Sequence, residues 1–383
     1  MIMNRQIQAY RNRPTRAIIN LDNLRHNYGI MRSFIDADVK VMGIIKANAY
    51  GHGMLEVANR LTKLGVNYFG VAFLEEGIFL REHDIKTPIL VMGGINIEQI
   101  PDFIRYDIDI TTSSMDKTKA ISETASSLRK AAKVHIKIDT GMERLGVHWY
   151  NAEKFIEETF SAPNIIVEGI FTHFAKSDGI KEHDKEFTEL QIKRFDALLE
   201  YMAKKGYDAK YIHCANSAGI INYKNSHFNM VRPGLMLYGY SSLPPGFKGM
   251  LKPVMTLLTK VSYFKVIPPG TGVSYNHTFT SEIQTRIVTL PVGYGDGYNR
   301  LLSNRGEVII RGKKYTVAGN ICMDQMMVDL GPGGEAFNGD DVLLFGRSGD
   351  DEIRLEDLCD KIHTIPYEIL TMISNRVPRI YAD

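Results

Sequence analysis

The chain has 383 residues and lacks several features that would narrow its class at once. It carries three cysteines, Cys214, Cys322 and Cys359, far apart and odd in number. That excludes a disulfide framework and a cysteine-based zinc cluster, and no metal site is expected. Its charges nearly cancel, 46 basic against 44 acidic, for a net charge of +2. No field of one sign points to nucleic acid or to an anionic membrane surface. No run of about 18 apolar residues is present to span a bilayer. The opening stretch, MIMNRQIQAYRNRPTR, is polar and basic without an apolar centre. No secretory signal is therefore expected, and the expected location is the cytoplasm. Long repeats and low-complexity tracts are also missing.

What is present is an ordinary globular composition, 44% hydrophobic and 23% charged, on a chain long enough for two domains. From Val39 to about Val231, short β-branched runs alternate with amphipathic stretches. Strands are predicted near 39–45, 67–72, 88–92, 107–111, 133–138, 165–171, 210–214 and 229–231. Helices are predicted between most of them, as at 54–64, 75–83, 115–131, 151–160 and 184–205, with one at 23–34 before the first strand. Eight strands in βα alternation favour a (β/α)8, TIM-like barrel over an open sheet. After about Ser241 the texture changes: SSLPPGFKGMLKP reads as a linker, and short strands with turn residues follow. The expected division is an α/β barrel over 14–243 and a mostly-β domain over 244–383, the latter joined by residues 1–13.

In such a barrel, chemistry sits at the C-terminal ends of the strands. Lys46 ends the apolar run VMGII; Asp139 and Thr140 follow the fifth strand, His173 the sixth, Asn216 and Ser217 the seventh, and Arg232, Pro233 and Gly234 the eighth. A strand end reaching solvent explains Lys46 alone, but scattered surface residues do not explain five polar clusters on one rim. A lysine there suits Schiff-base chemistry with a carbonyl, whether of pyridoxal phosphate (PLP) or of a sugar-like substrate. HCANSAG (213–219) puts Asn-Ser at a strand-to-helix turn, where free N–H groups hold anions, and RPGLMLYG (232–239) adds an arginine and a glycine. A plain helix cap at Ser217 and a plain turn at Gly234 remain open on these grounds.

Longer motifs decide the direction. KANAYGHG (46–53), HIKIDTGMERLGV (135–147), THFAKSD (172–178), VRPGLMLYG, GVSYNHTF (272–279), LPVGYGDGY (290–298), GNICMDQMMVD (319–329) and IPYEIL (365–370) run in one order along the chain. Together they resemble the bacterial alanine racemases, PLP enzymes of the barrel-plus-β-domain type. The resemblance implies interconversion of L- and D-alanine, with D-alanine going to peptidoglycan. It implies that Lys46 holds PLP covalently, that Tyr50, Ser217, Gly234, Leu235 and Tyr367 surround its phosphate, and that Arg232 faces its ring nitrogen. An arginine does not give up its proton, so the ring stays a weaker electron sink than one protonated by a carboxylate.

Racemisation needs proton exchange on both faces of the α-carbon, hence two bases. The resemblance assigns Lys46 to the D-enantiomer and Tyr275 to the L-enantiomer, with a chain Arg232–His173–Tyr275 tuning a phenol whose ordinary pKa is about 10. It places Arg144, Met323 and Asp324 at the substrate carboxylate and Tyr294 at the entrance. It also implies a homodimer in which Tyr275, Tyr294, Met323 and Asp324 reach the partner's barrel. Taken alone, Tyr275 and His173 read as packed side chains, and His52 and His213 as architecture.

Glu143 and Asn276 depart from the family, which commonly has glycine at both places. That leaves a broader or serine-preferring racemase open, and a PLP decarboxylase of the same plan or a PLP-binding regulator built on the barrel alone stand as rivals. Strand alternation puts Val134, Ile136 and Ile138 on one face and His135, Lys137 and Asp139 on the other. Lys137 is thus expected inside the barrel, paired with Asp139 or, as in many family members, converted to a carbamate (N6-carboxylysine).

Overall fold

Alternating β-branched runs and amphipathic stretches close into a parallel barrel in the computed structural model, which describes residues 12–241 and 249–383. The linker reading falls largely on 242–248, and the N-terminal extension largely on 1–11, both outside the described residues. Numbered along the chain, β1 (Arg16–Asn20) stands apart from the barrel. The barrel strands begin with β2 (Lys40–Ile44), β3 (Tyr68–Val71), β4 (Ile89–Val91), β5 (Asp109–Thr112) and β6 (Ala132–Asp139). A two-residue β7 (Val147–His148) pairs beside β6, and β8 (Ile165–Phe171), β9 (Tyr211–His213) and β10 (Met230–Val231) complete the ring. Each strand pairs in parallel with the next, and β10 returns to β2 with Met230 opposite Lys40 and Val231 opposite Val41. All eight predicted strands are present.

The helices carry the periodicity that a barrel's outer layer needs. Met54–Lys63 buries Met54, Val57, Ala58 and Leu61, a single stripe at helical spacing. Ile136 and Ile138 of β6 pack with Phe155, Ile156, Phe195, Leu198 and Met202 from the helices Ala152–Ser161 and Glu182–Lys205. Each such side chain, fully buried, stabilises the fold by about 1.5–3 kcal/mol. With the apolar face of β6 committed to those helices, His135 and Lys137 turn inward, as the alternation requires.

The second unit is a sheet built from β11 (Met255–Lys260), β12 (Tyr263–Ile267), β15 (Thr285–Leu290), β16 (Glu307–Ile310), β17 (Lys313–Val317), β18 (Met326–Asp329), β19 (Asp341–Ser348), β20 (Asp351–Ile353) and β21 (Arg379–Ala382), with β13 (Gly272–Val273) and β14 (Phe279–Thr280) forming a separate small hairpin. Its spatial order is β12-β15-β18-β17-β16-β19-β11-β1-β21, with β20 paired to β19. β1 is antiparallel to β11 and parallel to β21, so the described residues from 12 to Leu24 group with this unit. Grouped by contacts, the barrel unit comprises Arg25–Ala49 and the described residues of Met54–Leu251, and Tyr50–Gly53 groups with the β-unit. The sequence signal of β1 is a barrel-like RAIIN, but its partners are the remote Leu258 and Ile380. Within the β-unit, Gly51 adopts φ +81°, and a Cβ there would lie 2.2 Å from the Leu370 carbonyl oxygen, so only glycine fits.

Candidate active site

The rim at the C-terminal ends of the barrel strands gathers the polar residues that the sequence placed there. Lys46 follows β2 after one residue, Asp139 ends β6, His173 follows β8, Ser217 follows β9, and Arg232 follows β10 directly. Lys46 is carried on an unusual turn. Lys46–Tyr50 is helical in hydrogen bonding, yet Ala47, Asn48 and Ala49 have φ of 51°, 53° and 53°, and Tyr50 has φ 52°. The turn is left-handed, which disfavours L-residues by roughly 1–2 kcal/mol each. Three bonds hold it: Ala49 N–H to the Ile45 carbonyl (2.8 Å), Ala47 N–H to Glu76 Oε1 (2.6 Å) and Met54 N–H to Asn48 Oδ1 (2.8 Å). Glu76 also accepts from Ala72 N–H at 2.7 Å through its other oxygen. The sequence reading missed Glu76. Its available signal was the acidic residue in the first turn of a helix. Glu76→Ala should lower stability by about 1–3 kcal/mol by removing the acceptor of three N–H groups, those of Ala47, Ala72 and Phe73. Urea titration checks the loss, and an unchanged midpoint would refute the strut.

The barrel end is strongly cationic. Burial, then the Arg144 charge, pushes the Lys46 ammonium below its ordinary pKa, against a smaller opposing pull from Glu76. Lys137 is almost wholly enclosed, and burial followed by the Arg232 charge lowers it to about 7. Its Nζ donates to the Ile138 carbonyl at 2.9 Å and lies 5.1 Å from the Phe171 ring centre. The alternative pairing with Asp139 is not what the structure has. Asp139 accepts instead from the N–H groups of Gly141 (2.8 Å), Met142 (2.9 Å) and Arg144 (3.2 Å), fixing the loop that bears Arg144. That loop requires Glu143 at φ 54°, an exposed left-handed position that suits glycine better.

Arg232 is fully enclosed beneath the rim. Nη1 meets His213 Nδ1 at 2.9 Å, and Nη2 donates to the carbonyls of Thr172 (2.7 Å) and Cys214 (2.9 Å) and lies 3.2 Å from His173 Nδ1. Nε alone has no partner, although it is buried. Burial lowers Arg232 to about 10, still charged near neutrality. Since Arg232 only donates, His173 Nδ1 accepts and its proton resides on Nε2. Burial and the surrounding cations hold His173 well below the usual histidine range, hence neutral. Ser217 is not a simple cap: Asn216 caps that turn through Gly219 N–H (2.9 Å), while Ser217 Oγ accepts from Gly234 N–H (3.0 Å) and Met236 N–H (3.3 Å). The pair Ser217 and Gly234-Leu235 therefore forms one polar corner.

In the β-unit, Tyr275, Tyr294 and Met323 are exposed, at 70%, 42% and 54%. Their loops are stitched together by Tyr294 N–H to the Cys322 carbonyl (3.0 Å) and Gly295 N–H to the Met323 carbonyl (2.9 Å). Arg376 bonds Asp324 at 2.6 Å and lies 3.5 Å from the buried Asp296. Tyr275 sits on a turn in which Asn276 takes φ 60°, the conformation its side chain tolerates and glycine would otherwise supply. Tyr50 and Tyr367 form a ring pair with centroids 5.7 Å apart.

The family model for the alanine racemase N-terminal domain matches residues 19–242, and that for the C-terminal domain matches 254–381. The chain belongs to the alanine racemase family. The alanine racemase of Carboxydothermus hydrogenoformans is 44% identical over 371 residues, 96% of this chain and all of that protein. The solved alanine racemase of Clostridium difficile 630 superposes with a TM-score of 0.90 at 39% identity, covering 96% of both chains. Its complex with cycloserine gives 0.88 at 38% identity, over 96% of this chain and 95% of that one. An amino-acid racemase is thus supported over the decarboxylase and the regulator. Among the described residues, no helix is long and apolar enough to cross a membrane. In this alanine racemase family member, the structure brings Lys46, Lys137, Arg144, His173, Ser217, Arg232, Gly234 and Leu235 into the barrel unit, and Tyr50, Tyr275, Tyr294, Met323, Asp324 and Tyr367 into the β-unit.

Proposed function

We propose that this protein interconverts L- and D-alanine with PLP by a two-base mechanism, supplying D-alanine for peptidoglycan. The observation that carries the reading is Arg232: a buried arginine whose Nη atoms are anchored in the barrel and whose Nε is the one unpartnered donor. The donor set fits PLP. Lys46 would take its aldehyde, Ser217, Gly234 and Leu235 would surround its phosphate, and Tyr50 and Tyr367 are further candidates for the phosphate. Bound PLP supplies an electron-accepting ring that makes a substrate α-proton removable.

The chain's own residues then divide the proton traffic. Lys46, whose ammonium is already weakened by burial and Arg144, accepts and returns a proton at Nζ on one face. Tyr275 of a partner subunit serves the other face. His173, neutral with its proton on Nε2, is a donor suited to holding a phenolate, and Arg232 fixes that tautomer. Arg232 donates without transferring its proton, which keeps electron withdrawal modest. Arg144 and the Met323–Asp324 turn would hold the substrate carboxylate, with Arg376 steadying Asp324. The reading requires a homodimer whose exposed Tyr275, Tyr294 and Met323 face the partner's barrel. Loss of the circular dichroism of L-alanine in PLP buffer, without release of carbon dioxide, tests the activity. A persistent signal sinks it.

Lys137 in this reading carries a carbamate. With its pKa near 7, a large fraction is free amine at neutral pH and able to add carbon dioxide. The product is an anion able to accept charge-assisted hydrogen bonds from Arg144. The sign of the pH effect follows: protonation below about 7 blocks carbamate formation, so activity in limiting bicarbonate falls as pH drops through that value. Intact-protein mass spectrometry after trapping, and rescue of Lys137→Ala by chloride or acetate, check it. An unmodified lysine in active, bicarbonate-equilibrated protein would refute it.

A further inference from the structure

Below the rim, the barrel interior holds polar groups that the two-base scheme does not use. His213 Nε2 lies 2.9 Å from His135 Nδ1. His135 Nε2 lies 3.5 Å from Asp109 Oδ2, and the Tyr68 hydroxyl donates to the same carboxylate oxygen. Asp109, His135 and His213 are all at least 98% buried. Asp109 opens β5, while Arg232 follows the last residue of β10, so this line runs from the N-terminal end of the barrel to its C-terminal rim.

The donor inventory orders every proton along it. Arg232 donates and never accepts, so His213 Nδ1 must be bare. A neutral His213 then carries its proton on Nε2 and donates it to His135 Nδ1. His135 in turn carries its proton on Nε2, which faces Asp109 Oδ2 and the Tyr68 hydroxyl, each at 3.5 Å. An imidazolium at His213 would set N–H against N–H at Arg232. The same low-dielectric surroundings push His213 well below the usual histidine range. Packing holds both rings: His213 stacks on Phe171 at 4.9 Å and 4°, and a Cβ at Gly169 would lie 2.4 Å from His135 Nδ1.

We propose that Asp109 is a positioning residue for Arg232, acting through His135 and His213 as an ordered relay of tautomers. The proposal rests on the reading that Arg232 serves the cofactor ring. The carboxylate, bonded by Tyr68, favours from the far end the same direction of donation that Arg232 imposes at the near end. It thereby presents Arg232 Nη1 with an acceptor, and the guanidinium is held with Nε facing away from its anchors. The oriented N–H dipoles also bring negative charge toward a buried cation whose hydrogen-bond partners include no carboxylate.

Nitrogen-15 spectra of the holoenzyme labelled at histidine, assigned by single substitutions, read the relay directly. His213 and His135 should each show a protonated Nε2 and a bare Nδ1. A proton on His213 Nδ1, or an imidazolium there, overturns the proposal without any variant. Asp109→Ala should scramble the His135 tautomer and lower kcat by about 10- to 100-fold, the scale seen when outer partners of buried sites are removed, while KM for alanine stays within about twofold. Gly169→Ala, which displaces the His135 ring without altering a charge, should give the same pattern. A folded Asp109→Ala with unchanged tautomers, or with scrambled tautomers and unchanged kcat, overturns it. Arg232→Lys with an unaltered cofactor spectrum would instead overturn the cofactor reading, and the tautomer order would survive.

Discussion

Lys46→Ala is expected to abolish racemisation in both directions, to below about 10⁻⁴ of wild type, because in the proposed mechanism one residue supplies both the covalent hold on the cofactor and one of the two bases. The variant should also lose the visible absorbance of the bound cofactor. It should not unfold, since the turn is held by Glu76, Asn48 and the Ile45 carbonyl. Replacing Lys46 removes a cation from a cluster that already includes Lys137, Arg144 and Arg232. Far-ultraviolet circular dichroism and an activity assay in each direction suffice. Activity retained with a borohydride-reducible adduct on another lysine would end the assignment.

Tyr275→Phe produces a lopsided loss. Solvent exchange of the α-proton of L-alanine should fall by about 10³-fold or more, while exchange from D-alanine, served by Lys46, falls far less. Equal losses would refute the division of labour. The exposure of Tyr275, 70% in a single chain, is what a residue completed by a partner subunit should show. Mixing inactive Lys46→Ala and Tyr275→Phe chains should then restore one intact site per heterodimer. Proven subunit exchange without recovered activity would place both bases in one chain.

The sequence was most legible where chemistry is local. Eight strands, the inward face of β6 and the rim positions of Lys46, His173 and Arg232 followed from alternation and from the rule that strand ends carry function. Legibility failed where a through-space partner decides. β1 resembles a barrel strand, and only its distant partners Leu258 and Ile380 assign it to the other sheet. His213 read as architecture because nothing near it in sequence reveals Arg232 on one ring nitrogen and His135 on the other. Glu76 lies 29 residues from the N–H it holds. The left-handed turn was hidden because Ala-Asn-Ala carries right-handed preferences, and glycines appear only after it. Asn276 is the opposite case: its tolerance of positive φ could be read from its type, and its φ of 60° agrees.

The left-handed turn has a consequence in time. A loop that swings to present a catalytic group moves on microseconds to milliseconds, and such motion often limits turnover. Here the backbone from Ala47 to Tyr50 lies in a narrow region of φ and ψ and is held there by bonds on both sides. The reach of Lys46 between its partners is left to its own side-chain torsions, which reorient in picoseconds to nanoseconds. In the proposed mechanism, proton transfer at Lys46 would therefore not wait on motion of the chain that carries it.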